Sequence, residues 1–269
     1  MSEFSAEWLA LREPVDVVSR SMRLTRAVAA VLPRYRAIDI LDLGAGTGAN
    51  VRFLAGKLPL PQRWLLVDRD ERLLTRAPRT WPSQCLDLQH AVLDSNLFSG
   101  RALVTASALL DLASDAWLQE LVARCRDAGA VVLFALTYDG RMDFAPAEPE
   151  DEAICALVNQ HQRTDKGLGP AAGPRAVGRA SELLTAAGYH VEREASDWEL
   201  TPESGELQRQ LITGWADAAT AVAAERSALI ADWRARRIAH VDDGRSQLIV
   251  GHKDLAGWLP AKQAARPRI

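Results

Sequence analysis

A chain of 269 residues that is 48% hydrophobic and 25% charged has the makeup of a globular protein, long enough for one large domain or a core with sizeable insertions. Its formal net charge of −3, with Arg and Lys scattered among acids, gives no basic field of the kind that gathers nucleic acid. Cys85, Cys125 and Cys155 are too dispersed for zinc-like pairs, and no apolar stretch approaches the ~18 residues of a membrane helix. The acidic start of the chain (Glu3, Glu7, Glu13) lacks the basic-then-apolar layout of a signal peptide. The expectation is a soluble, cytoplasmic protein with no membrane partner.

Residues 6–32 read as helical, with apolar positions at Trp8, Leu9, Leu11, Val15, Val18, Met22, Leu24, Val28 and Val31. Pro14 fits the first turn of a second helix, and Pro33 ends it. Arg12, Asp16 and Arg20 recur every four residues, which makes either a solvated ion-pair stripe or a lid whose arginines face a ligand. A strand at 38–43 leads into a helix at 49–57. The next strand, 64–67, is apolar without alternation, as in a parallel sheet buried on both faces. A helix at 70–77, a weak strand at 83–86 and a strand at 102–106 follow. Then come a helix at 114–127, with Ser114 as N-cap and Gly129 at its end, and a very apolar strand at 130–136. Such alternation predicts an α/β doubly wound parallel sheet with right-handed crossovers.

The pattern then breaks. Residues 138–174 hold a stiff connector at 144–149, a short helix at 151–162 and a Gly/Pro-rich loop at 163–174. A helix at 175–187, a strand at 189–195, amphipathic helices within 203–239 and a strand at 247–250 close the chain. The Ala-Ala-Arg-Pro-Arg tail is expected to fray. A single domain over 1–269 is expected, with the N-terminal helices (6–33) and the insertions 138–174 and 203–239 as its cap.

The densest local signal is Ile38–Asn50, an apolar run, three glycines within five residues and a helix start. Such a turn lets a ligand approach the backbone and presents unpaired N–H groups. The stretch Gly44–Ala49 also fits the dinucleotide pattern G-x-G-x-x-A. Against a dinucleotide stand Asp42 two residues before Gly44, Asp68 ending the second strand and Asp87 following the third, with a closing hairpin in place of a second nucleotide-binding half. Acids at three strand ends repel a pyrophosphate and suit a cationic ligand.

Leu41-Asp42-Leu43-Gly44-Ala45-Gly46-Thr47-Gly48 resembles motif I of the class I S-adenosylmethionine (SAM)-dependent methyltransferases. The resemblance continues through Val67-Asp68, Leu86-Asp87-Leu88 and Ala106-Ser107-Ala108. It implies a seven-stranded Rossmann-like sheet in the order 3-2-1-4-5-7-6, last strand antiparallel, and SAM as cofactor. Gly44, Ala45 and Gly46 would pass close to the methionine and ribose, and Asp42 would help hold the ammonium. Asp68, with Arg69 beside it, would clamp the ribose. Asp87 and Leu88 would read the adenine, and Ala106-Ser107 would contact the methionine. The stretch after the fourth strand departs from the family in carrying Asp111.

A large cap points to a small-molecule acceptor, methylated on O or N. A base for the transfer is sought at His161, on the apolar face of helix 151–162, or as a packed core histidine. Asp111 and Tyr138, with Asp139 and Arg141, follow strands and should border the pocket; Asp111 also reads as a helix N-terminal acid. Arg12, Arg20, Arg175 and Lys166 are candidates for an acidic acceptor. Trp198, Trp215 and Trp233 either line a pocket or pack the core. His240, Asp242, Asp243 and His252 read better as turn and cap residues than as a metal site, so no metal is expected. A SAM-binding scaffold without turnover, a protein or nucleic-acid methyltransferase and a nicotinamide-dependent oxidoreductase remain as alternatives.

Overall fold

A computed structural model of the chain describes residues 5–34 and 36–260, so the Ala-Ala-Arg-Pro-Arg tail and Glu3 lie outside the described residues. Two helices open the chain, α1 (Ala6–Ser19) and α2 (Met22–Val31). Pro14 sits inside α1 and does not begin a new helix. The break comes at Arg20, whose backbone turns extended, and Ser21 caps α2 by accepting the Leu24 N–H at 3.0 Å.

The alternating core follows as β1 (Ile38–Leu43), α3 (Ala49–Leu54), β2 (Gln62–Asp68), α4 (Glu71–Leu74), β3 (Ser83–Cys85), α5 (Leu88–Ala91), α6 (Ser95–Phe98), β4 (Leu103–Ser107), α7 (Asp115–Ala128) and β5 (Val131–Ala145). Then come α8 (Asp151–His161), α9 (Ala176–Ala186), β6 (His190–Ala195), β7 (Trp198–Leu200), α10 (Gly205–Val222), α11 (Ser227–Asp242) and β8 (Gln247–Trp258). The sheet runs β3-β2-β1-β4-β5-β8-β6, parallel through β5, with β8 antiparallel to both its neighbours. This is the sheet order of the Rossmann-like methyltransferase fold. It carries one strand more than expected, the three-residue β7 paired to β8.

Parallel pairing explains the apolar runs. Ile38 and Ile40 of β1 enter one core cluster with α2 and α3, while Leu41 and Leu43 enter another with α7 and α9. The stretch 138–145 belongs to β5 and makes the expected stiff connector start later. Two irregularities in the β5–β8 register, with Leu136 and Gly140 at positive φ, let the strand continue through polar Tyr138-Asp139-Gly140-Arg141. Beyond them Phe144 pairs with Leu248, and this outer half of the ribbon packs with α8, α10 and α11 in a third cluster.

That cluster buries Trp198, Trp215 and Trp233, which are core residues. Phe144 meets Trp215 and Trp233 edge-on, with ring centroids 5.8 and 6.1 Å apart. Arg237, with no exposed surface, lies over the same Phe144 ring and forms a two-pronged ion pair with Asp151. Its third arm donates to the Pro146 carbonyl at 2.6 Å.

Removing one partner of a buried pair leaves the other charge uncompensated. Arg237→Ala is therefore expected to lower unfolding stability by about 3 kcal/mol in urea titrations. Arg209→Ala, which breaks the exposed pair with Asp242, should stay within about 0.5 kcal/mol of the parent.

Candidate functional site

Where β1 ends, Gly44, Gly46 and Gly48 all take positive φ, and the chain doubles back into α3. Gly48 is required twice over. Its φ is +80°, and a Cβ there would meet Pro78 Cδ at 2.6 Å. Protein partners already engage much of this turn. Ala45 N–H donates to the Val67 carbonyl at 3.0 Å, Gly48 N–H to the Ala45 carbonyl at 2.8 Å, and Gly46 N–H to Asp68 Oδ2 at 2.8 Å. The second Asp68 oxygen accepts the Asp70 N–H at 2.9 Å. Asp70, in turn, is the N-cap of α4.

The turn floors a cavity of about 640 Å³ at the carboxyl ends of β1, β2 and β4. Gly44, Ala45, Gly46, Asp68, Arg69, Leu88 and Ser107 all lie on its wall. Three other candidates do not. Ala106 is buried one residue behind Ser107. Asp87 is exposed and caps α5 through the Gln89 N–H at 2.9 Å. Asp42 is fully buried behind Asn50, which sits on the wall and donates to Asp42 Oδ1 at 2.6 Å.

Asn50 is the residue missed in the sequence, although it closes the glycine stretch. Its Oδ1 accepts Arg20 Nη1 at 2.7 Å, and Arg20 stacks over Phe53, 4.1 Å from the ring centroid. Burial pushes Asp42 up to about 7; the Asn50 hydrogen bond and the Arg20 charge oppose this, and nearby Asp68 adds to it. Asp42 Oδ2 has no hydrogen-bond partner.

Helix α1 is the roof. Leu9, Arg12 and Asp16 line the cavity, so the Arg12–Asp16–Arg20 stripe is not a solvated face. Arg12 grips Asp16 with two hydrogen bonds of 2.9 and 3.1 Å, and Trp198 Nε1 donates to the same carboxylate at 3.0 Å. Burial raises the Asp16 pKa against the pull of Arg12. The stripe was ambiguous because spacing alone does not say which side of a helix is covered.

Beyond β4, Ser107, Ala108, Leu109 and Leu112 continue the wall. Loop 163–170 closes that side: Leu168 accepts the Ser114 N–H at 3.1 Å, and Leu168 and Lys166 reach the cavity. His161 itself is off the wall. Its Nδ1 lies 3.2 Å from Lys166 Nζ, where the ring nitrogen accepts from the ammonium, so His161 is neutral. Desolvation lowers the pKa of both groups, and for His161 the Lys166 charge adds to it.

The other expected bases are also off the wall. Tyr138 donates to Asn159 Oδ1 at 2.9 Å, and burial raises its pKa. Asp111 is buried beside the short turn after β4, with Oδ1 unpartnered, and desolvation lifts it to about 6. Asp139 pairs with Lys253, and Arg141 with Asp143 and with Asp197 between β6 and β7, none of them on the cavity wall. Of the four cationic candidates, Arg12 and Lys166 reach the cavity, while Arg20 is spent on Asn50 and Arg175 lies elsewhere. No residue of 203–239 lines it, so that insertion packs a core and does not cover the cavity.

His240 pairs with Glu148, Asp242 with Arg209 and Asp243 with Arg245. His252 is buried and neutral, held near 3 by desolvation and by the Arg12 charge, with Nδ1–H donating to the Val250 carbonyl at 2.9 Å. Among the described residues no three His, Cys, Asp or Glu side chains gather as metal ligands.

No protein-family model and no curated protein matches the chain. Among solved structures it is similar to phosphoethanolamine N-methyltransferase 2 of Haemonchus contortus in two complexes. With phosphomonomethylethanolamine and S-adenosylhomocysteine the identity is 16%, the TM-score 0.47 and coverage 94% of this chain and 57% of that one. With S-adenosyl-L-methionine the identity is 16%, the TM-score 0.49 and coverage 97% and 58%. The chain thus spans less than two thirds of those proteins. It is also similar to the cyclopropane synthase MmaA2 of Mycobacterium tuberculosis, at 10% identity, TM-score 0.48 and 94% coverage of both chains. All three scores fall below 0.5, and the chemistry of the site rests on its own residues.

Asp42 and Asp111 bind protons more tightly folded than unfolded, so their contribution to stability is full below about pH 4. It is lost as the pH rises through about 6 for Asp111 and about 7 for Asp42. Asp111→Asn should flatten this decline. Measured by denaturant titration, its stability relative to the parent should be about 2 kcal/mol better at pH 8 than at pH 4.

Proposed function

We propose that the protein is a SAM-dependent methyltransferase acting on a small-molecule acceptor, with transfer to O or N. The observation that carries this is Asp68, a wall carboxylate at the end of β2 that takes the Gly46 N–H of the glycine turn. A dinucleotide site needs such N–H groups free to receive a pyrophosphate. Here an acid occupies one of them, and the same side carries Asp70 and Glu71 beside Arg69 and Arg72, so it has one more acid than base. A phosphate-free nucleoside whose ribose hydroxyls donate to a carboxylate fits this donor and acceptor set.

When bound, SAM supplies a methyl group on a positively charged sulfur. The chain's part is to hold and orient. Gly44–Gly46 would let the methionine portion lie against the backbone, and Asn50 presents its side chain at the same wall, with the Asp42 carboxylate behind it. Asp68 would clamp the ribose, with Leu88 against the base. Leu9, Leu109, Leu112 and Leu168 keep the β4 side of the cavity apolar, which favours a small organic acceptor shielded from water. The N-terminal helices and the loop 163–170 form the cap in this proposal.

Calorimetry tests it. S-Adenosylhomocysteine should bind and NAD should not; the reverse outcome overturns the proposal. Asp68→Asn should weaken S-adenosylhomocysteine binding by about tenfold or more. Asp87→Asn, off the wall, should change it by less than about threefold.

A further inference from the structure

The charged groups of the wall fall into two sets. Beside β2 stand Asp68, Asp70 and Glu71 together with Arg69 and Arg72. The roof carries Arg12 and Asp16, and the loop that closes the β4 side carries Lys166. Arg12 and Asp16 neutralise each other, and Asp16 has both oxygens occupied, one by Arg12 and one shared between Arg12 and Trp198. Lys166 is different. It is half-buried, no carboxylate pairs with it among the described residues, and its one hydrogen-bond partner is the neutral ring of His161. An ammonium has three N–H donors, so two remain to be satisfied.

These two donors are open to the cavity that Lys166 lines, where water or the oxygens of a ligand can take them. Loop 163–170 is not a loose strap. Leu168 and Ala172 bond the backbone of Ser114 and Ala113, and a Cβ on Gly169 would meet Ser114 at 3.0 Å. The lysine is therefore presented to the cavity from an anchored position, with Leu109, Leu112 and Leu168 nearby on the wall.

We propose that Lys166 is the receptor for a carboxylate on the methyl acceptor, so that the substrate class is a small apolar carboxylic acid. This deepens the methyltransferase proposal and rests on it. One uncompensated positive charge on this side matches one negative charge, which suits a carboxylate better than a dianionic phosphate. Two remaining N–H donors match the two oxygens of a carboxylate, and the leucines match an alkyl or aryl body. His161 is a positioning residue in this scheme. It accepts one ammonium proton and so sets the direction of the other two. With a carboxylate oxygen as the nucleophile, the C–O bond forms as the methyl–sulfur bond breaks and no proton is released, which is consistent with His161, Tyr138 and Asp111 lying off the wall.

The cofactor carries a carboxylate of its own, and the test separates the two sources. The protein, saturated with S-adenosylhomocysteine, is titrated by calorimetry with the straight-chain carboxylates from butanoate to octanoate and with the corresponding amides. At least one carboxylate should bind about tenfold more tightly than its amide. Lys166→Gln should abolish that difference and Lys166→Arg should retain most of it, while S-adenosylhomocysteine affinity stays within about twofold in both. Three results overturn the proposal: no carboxylate is preferred, the preference survives in Lys166→Gln, or Lys166→Gln loses S-adenosylhomocysteine affinity, which would assign the lysine to the cofactor. Failure of the wild-type protein to bind S-adenosylhomocysteine would instead remove the methyltransferase proposal on which this one stands.

Discussion

Asp68 does two things with one carboxylate. It accepts the Gly46 N–H at the tip of the turn after β1 and the Asp70 N–H at the start of α4. The two crossovers that leave the sheet beside the cavity are thereby fixed to each other. Gly46 lies under Leu9, close enough that a Cβ would approach that side chain at 3.2 Å, so α1 can settle onto the turn only because the residue is glycine. Roof, floor and β2 wall all depend on this junction, and a group that orders a binding site from the middle is well placed to touch the ligand itself.

A second layer of polar contacts lies behind the floor. Asp42, Asn50, Thr105 and Arg20 form a buried chain from β1 and β4 to the hinge between α1 and α2. Asp42 Oδ2 and two Arg20 nitrogens have no hydrogen-bond partner there, so attraction between opposite charges carries part of the cost of burying them. Ser21 and Leu136 both donate backbone N–H groups to Asp254 on β8, which fastens the same hinge to the sheet. The roof over the cavity is thus held by a buried chain of which only Asn50 reaches the wall.

Much of the fold was legible because it depends on local pattern. Apolar runs marked β1, β2, β4 and β5, and glycines and caps marked the turns and helix ends. Asp42, Asp68 and the glycine turn stood out together for the same reason. What was not legible depends on tertiary pairing. Tyr138-Asp139-Gly140-Arg141 has the composition of a turn, yet it is held in β5 by β8, more than a hundred residues away. Three-residue β7 exists only because β8 offers it an edge. His161 was read onto the apolar face of its helix; it is half-buried, and nothing in the spacing revealed that its partner is Lys166, five residues on. Asp87 looked like a base reader and proved to be an N-cap, a role that the same residue type serves with no ligand at all.

The long β5–β8 ribbon runs through both halves of the molecule. Its inner part pairs Phe134 with Leu255 inside the parallel sheet, and its outer part pairs Phe144 with Leu248 under α8, α10 and α11. The helical layer is consequently no detachable module. A chain cut before β8 would leave the edge of β5 open along fifteen residues and strip β6 and β7 of the strand on which both are built. Such an edge is a template for pairing with another molecule. The expected outcome of a truncation before β8 is therefore aggregation, not a smaller working domain.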